Sequence, residues 1–150
     1  MSDTFTQLDV HVVIATKVRL NMIKPEYQKQ VYEYMAGVIK NSGNHPIIIY
    51  GMPDHTHLLF GYHADCILTN LVSDIKSGVS GLIRTNGWFA GKFDWQSGFG
   101  GFSVSRSMVE KVYHYIENQE KYHEKKSFTE EFIQLLDAHR IEYDKRDIFI

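Results

Sequence analysis

The 150-residue chain is poor in cysteine and proline, with Cys66 alone and three prolines. A single cysteine excludes an internal disulfide framework and suits a reducing cytosol. No apolar run approaches the roughly 18 residues of a membrane span, so no membrane partner is expected. Met1-Ser2-Asp3-Thr4 lacks the basic and apolar segments of a secretory signal. Repeats, low-complexity tracts and Pro/Gly/Ser linkers are missing too, which predicts a single domain over 1–150. Nor is there an excess of charge of one sign: the net charge is −2 and the pI about 6.4. That balance argues mildly against nucleic acid, since many DNA-binding domains are basic overall. Exposed charges are screened beyond ~8–10 Å, however, so local clusters matter more than the sum. Lys17, Arg19 and Lys24 form one such cluster, with no acid from residue 10 to 25, and Lys76, Arg84, Lys92 and Arg106 form a looser one.

What is present is globular: 43% hydrophobic and 13% aromatic residues. Residues 8–16 are rich in β-branched side chains and read as a strand. Pro25 suits the first turn of a helix on which Tyr27, Val31, Tyr34, Met35, Val38 and Ile39 recur, and Gly43 ends it. Residues 46–51 and 55–61 read as a hairpin turning at Met52-Pro53-Asp54. Ile67, Leu68, Leu71, Ile75, Val79 and Leu82 mark a second helix. A Gly- and aromatic-rich loop over 86–101 leads to a short strand near 101–104. Ser107 with Glu110 and Ser127 with Glu130 have capping-box spacing, predicting helices over about 106–122 and from 128. The order predicts an α/β (α+β) fold, a ferredoxin-like β-α-β-β-α-β antiparallel sheet with extra C-terminal helices.

Two constellations carry chemistry. His55 and His57 are two apart on a strand, so both imidazoles face one side and can offer nitrogens to one divalent metal. Two satisfied core histidines, or two exposed ones, fit the same spacing. Asp54 is placed to orient one imidazole, while Thr56 faces away. Tyr115 and Gln119 share a helix face four residues apart. A tyrosine beside a metal suggests phosphoryl transfer with a phenol nucleophile, although Tyr113 and Tyr122 are competing candidates. Lys17, Arg19, Lys76 and Arg84 are candidate phosphate contacts. Trp88, Phe93 and Trp95 either stack unpaired bases or pack under the Gly-rich loop.

Asp54-His55-Thr56-His57-Leu58-Leu59, Trp95-Gln96-x-Gly98-Phe99-Gly100, Ser103-Val104-Ser105 and Tyr115-Ile116-x-Asn118-Gln119 occur in an order and spacing that resembles the single-tyrosine transposases of minimal insertion sequences. These belong to the HUH (His-hydrophobe-His) endonucleases and include relatives associated with REP elements. Lys17-x-Arg19 and Phe128-x-Glu130-Glu131-Phe132 extend the resemblance, which runs from about residue 8 to 145. It implies His55, His57 and Gln119 as metal ligands and Tyr115 as the nucleophile, joined to the 5′ side of the break, on one of the C-terminal helices. It further implies Mg2+ or Mn2+, hairpin-bearing single-stranded DNA as partner, a homodimer, and a bacterial or archaeal cytoplasm. Thr56 stands where the family favours a bulky hydrophobe. His123 is a further but unassigned candidate; His11, His45, His63, His114 and His139 read as structural or surface residues. A single-strand nuclease or replication initiator on the same fold, and a non-catalytic nucleic-acid binding module, are the competing readings.

Overall fold

The computed structural model describes residues 4–148. Strands β1 (Asp9–Ala15), β2 (His45–Met52), β3 (His55–Gly61) and β4 (Gly100–Val104) form one sheet in the order β2-β3-β1-β4, with every neighbouring pair antiparallel. Helix α1 (Gln28–Asn41) connects β1 to β2 and α2 (Leu68–Asn86) connects β3 to β4. This is the ferredoxin-like arrangement, in which β3 lies between β1 and β2. Pro46 is tolerated because β2 is an edge strand, and the β2–β3 register shifts between Pro46 and Ile48.

The pleat sorts the side chains. Val12, Ile14, Leu58 and Phe60 meet Val31, Met35 and Ile39 of α1 and Leu71, Ile75, Val79 and Ile83 of α2 in the main core. Each such fully buried aliphatic side chain contributes about 1.5–3 kcal/mol. Ile67, expected on the α2 stripe, instead precedes the helix and is exposed. Gly87, at φ +65°, ends α2 in the left-handed region that a glycine occupies without a Cβ clash.

The alternate register places His11, Val13, His55, His57, Leu59, Phe102 and Val104 on the opposite face. That face is covered. Helices α3 (Val109–Glu117), α4 (Gln119–Tyr122) and α5 (Phe128–Ala138) lie over it; Ile116 packs on Leu59 and Val104, while Phe128 and Leu136 pack on Val13 and Phe102. A short α6 (Lys145–Ile148) follows.

The expected continuous helix over 106–122 is corrected in two places. Arg106–Met108 is a 3-10 turn and α3 starts without a side-chain cap, because the Ser107 hydroxyl pairs with that of Ser105 at 3.2 Å. At Asn118 (φ −96°, ψ 23°) the helix breaks into α3 and α4, where the Asn118 amide donates to the His114 carbonyl at 2.8 Å. Asparagine favours such local backbone bonding over helix continuation. The second capping box forms: the Glu130 N–H donates to Ser127 Oγ and the Ser127 N–H to the Glu130 carboxylate.

Candidate active site

The register of β3 sets the site. His55 lies opposite Ala15 and His57 opposite Val13, so small and aliphatic neighbours on β1 leave room above them for two imidazoles. The rings stand edge to face with centroids 5.1 Å apart. Asp54, at the end of the β2–β3 turn, accepts from His55 Nδ1–H at 2.7 Å. This bond directs His55 Nε2 away from the strand, where it lies 2.9 Å from Gln119 Oε1. His57 Nε2 points the same way, while its Nδ1 lies 2.8 Å from His11 Nε2. His11 was expected to be structural or on the surface; it is buried and orients a histidine of the pair.

The largest departure from expectation is Glu131. It comes from α5, is fully buried, and joins His55 and His57 in a cluster whose ligand atoms lie within 4.8 Å of one another. Its two oxygens divide the surroundings. Oε1 lies 3.3 Å from His55 Nε2, 3.1 Å from His57 Nε2 and 3.2 Å from His123 Nε2. Oε2 accepts from Gln119 Nε2 at 2.7 Å and from the Tyr115 hydroxyl. His123 is anchored by its Nδ1–H, which donates to the Lys126 carbonyl at 2.7 Å, so Nε2 faces the cluster. Phe128 stacks on His55, 4.3 Å between centroids, and closes the site from the α5 side.

The break at Asn118 helps place two side chains. Tyr115 is on the last full turn of α3, with its ring 5.7 Å from that of His57, and Gln119 opens α4. Histidine pair, glutamine and tyrosine of one chain therefore converge. Tyr113 and Tyr122 do not displace Tyr115 from this position: Tyr113 packs beside Val109 and Val112, and the Tyr122 hydroxyl donates to Gln134.

Burial and charge act against each other here. Burial pushes the His55 imidazole down, but its bonds to Asp54 and Glu131 more than offset this and bring it up to about 9. His57 and His11 are pushed below the usual histidine range, chiefly by burial. Burial raises Glu131, yet hydrogen bonds from His123, His55 and His57 hold its carboxyl well below the ordinary range. Tyr115 is pushed up, first by burial and then by the Glu131 charge beside it.

Two imidazole nitrogens and one carboxylate oxygen, with the Gln119 amide oxygen adjacent, form a donor set that can hold a divalent cation. The nitrogen donors suit Mn2+ better than Mg2+, which prefers oxygen ligands.

The expected DNA contacts fare differently. Lys17 is exposed and lies 3.5 Å from Asp94, and Arg84 is exposed near the end of α2. Arg19 is half-buried at φ +56°. Lys76 donates to the carbonyls of Gln96 and Gly98 and so ties down the Gly-rich loop. Trp95, expected among the DNA contacts, is core instead: it is buried in the main cluster and its indole N–H donates to the Lys76 carbonyl at 2.9 Å. Trp88 stacks on Tyr27, 4.7 Å between centroids.

Comparison with known proteins gives a consistent picture. The family described as "Transposase IS200 like" matches residues 4–119. A chain from Deinococcus radiodurans R1 assigned as a transposase superposes with a TM-score of 0.62 at 21% identity, covering 79% of this chain and 95% of that one. A REP-associated tyrosine transposase bound to a REP hairpin gives 0.54 at 13% identity, covering 79% and 70%. No curated protein matches. At these identities the two structures support the fold alone, and the match over residues 4–119 is what bears on the family.

Proposed function

Because the chain belongs to the family of IS200-like transposases, we propose that it cuts and rejoins single-stranded DNA with Tyr115 as the nucleophile. The observation that supports this most directly is the hydrogen bond from the Tyr115 hydroxyl to Glu131, whose other oxygen faces the histidine pair. In this reading the Tyr115 oxygen attacks the scissile phosphorus, the bond to the 3′-oxygen breaks, and a 5′-phosphotyrosine forms. Rejoining is the reverse, with an incoming 3′-hydroxyl as nucleophile.

Burial and Glu131 keep the Tyr115 phenol protonated at rest, so its proton must leave as the oxygen attacks. Glu131 Oε2, already its acceptor, holds that hydroxyl in orientation beside the histidine pair, while its own carboxyl, held well below the ordinary range, stays ionised. His55, His57 and Glu131 Oε1 would hold a divalent cation, Mg2+ or Mn2+, with Gln119 Oε1 beside them. Such a cation supplies Lewis-acid stabilisation of charge on the phosphate oxygens. Asp54 and His11 hold the two imidazoles in orientation. The neighbour whose description names a REP hairpin supports DNA hairpins as the recognised element, and a homodimer completes the reading.

Incubating the protein with hairpin-bearing single-stranded DNA and Mn2+ is expected to give a covalent protein–DNA adduct on a denaturing gel. Tyr115→Phe should abolish it. An adduct that persists in that variant overturns the nucleophile assignment.

A further inference from the structure

Two clefts open on Tyr115. One, of about 640 Å³, lies between β4, α3 and α5 and is walled mainly by apolar groups, among them Val104, Val112 and Leu135. The other, of about 690 Å³, lies on the outer side of α3 and α4 and is lined by Lys111, Lys121, Lys125 and Lys126, with Glu124 as the acid among its lining residues. The clefts share Lys111, Tyr115 and Tyr122, so Tyr115 borders both. Among the described residues, no carboxylate lies within 4.0 Å of any of the four ammonium groups, whereas Lys17 has such a partner. Of the other acids of α3 and α4, Glu110 and Glu117 flank His114 at the edge of this cleft, where they face the imidazole, and Glu120 accepts from the Tyr50 hydroxyl. Four lysines without a carboxylate partner among the described residues thus line the cleft next to Tyr115.

A polymer cut at Tyr115 can run from one cleft to the other across that side chain. Both walls are mainly apolar, but four lysines line the outer cleft and match a phosphate backbone, whereas the cleft beside β4, with Val104, Leu135 and His139 in its wall, matches the face of an unstacked base. We propose that an unpaired DNA strand crosses the α3–α4 break with its phosphates on Lys111, Lys121, Lys125 and Lys126 and one base seated in the cleft between β4 and α5. This rests on the transposase reading above and assigns it a strand path distinct from the Lys17, Arg19, Lys76 and Arg84 set. A paired duplex fits poorly, because its bases are not free to enter the cleft beside β4.

The test is binding of a fluorescently labelled oligothymidylate with a chelator present, so that no cleavage contributes. Lys121→Ala/Lys125→Ala/Lys126→Ala is expected to bind at least tenfold more weakly at low salt. Its slope of log affinity against log salt should be shallower by about 2, since each lost single-strand contact accounts for ~0.7. Lys29→Ala/Lys40→Ala on α1 should match wild type. Ala138→Trp, which fills the cleft beside β4 from the exposed end of α5, should lower affinity about tenfold with the salt slope unchanged. Circular dichroism on each variant checks that the fold is kept. A triple-lysine variant with wild-type affinity and slope overturns the path, as does equal affinity for a duplex of the same length. An Ala138→Trp variant that binds normally overturns the base seat. Adduct formation run in parallel separates the claims: wild-type adduct with unaffected lysine variants sinks the path alone, whereas weakened lysine variants without any wild-type adduct support the path and sink the nucleophile reading.

Discussion

Replacing Glu131 by glutamine keeps the side chain's volume and removes a buried charge toward which Tyr115, Gln119, His55, His57 and His123 all point. His55 gives this substitution a pH signature. Its folded value of about 9 lies above the unfolded value of 6.5, so its contribution is fully present below pH 6.5 and is lost as pH rises through 9. The shift corresponds to on the order of 3 kcal/mol. The Asp54 bond survives in Glu131→Gln, so only part of this is lost, on the order of 1–2 kcal/mol. Removing one partner from a buried charged cluster costs about 3–5 kcal/mol, and the glutamine oxygen, still accepting from Tyr115 and Gln119, offsets some of that. Glu131→Gln is therefore expected to be about 2–3 kcal/mol less stable than wild type at pH 6.5, with a smaller difference at pH 9.5. Urea unfolding in the presence of chelator, followed by tryptophan fluorescence at both pH values, measures this. A stability difference that does not change with pH refutes the coupling between Glu131 and His55.

Binding of Mn2+ must strip the proton from His55 Nε2, so apparent affinity should rise nearly tenfold per pH unit from 7 to 9 and then level off; calorimetry in buffers of different ionisation enthalpy should detect about one proton released at pH 7, and a flat pH dependence rules out His55 as a ligand. Lys76→Met leaves the Gln96 and Gly98 carbonyls without their donor and should cost about 1–3 kcal/mol in urea unfolding; wild-type stability would show that Lys76 does not anchor the loop. Gly100→Ala would push a Cβ against the Phe132 ring and within 3.2 Å of Phe102, displacing α5 at a cost of about 1–3 kcal/mol and weakening Mn2+ binding through Glu131. Unchanged metal affinity in that variant would mean that α5 does not contribute to the cation site.

The sheet and its first two helices were legible because their patterns agree at every level. Strand alternation, the stripe Val31-Met35-Ile39 and glycine stops all point to one topology, and the apolar side chains of strands and stripe lie in the main core. The helix break was not legible, because Tyr115, Ile116 and Gln119 keep helical spacing across it and a lone Asn118 is a weak stop signal. Ser107 and Glu110 have cap spacing, but the Ser105 hydroxyl competes for Ser107. His55, His57, Tyr115 and Gln119 were singled out by spacing and resemblance, and their side chains lie together. Glu131 was not, since its neighbour Glu130 explains an acid there as a cap. Helix phase held the missed signal: Glu131 falls on the stripe Phe128, Leu135, Leu136, where a charge is costly unless something buried pairs with it. His11 was hidden because a single histidine on an apolar strand carries no signal until its cross-strand partners are known. Trp95 fits a base platform and loop packing equally in sequence, because a Gly-rich loop with aromatics looks the same whether it folds inward or outward; its burial decides for packing.

The helix that carries Glu131 lies outside the stretch that matches the family, which ends at residue 119. Tyr115, the histidine pair and Gln119 thus fall inside that stretch, and the acid that joins them comes from a helix beyond it. Substitutions on α5 alone can therefore retune which ion the cluster prefers, and how readily the Tyr115 phenol ionises, with every residue from 4 to 119 unchanged.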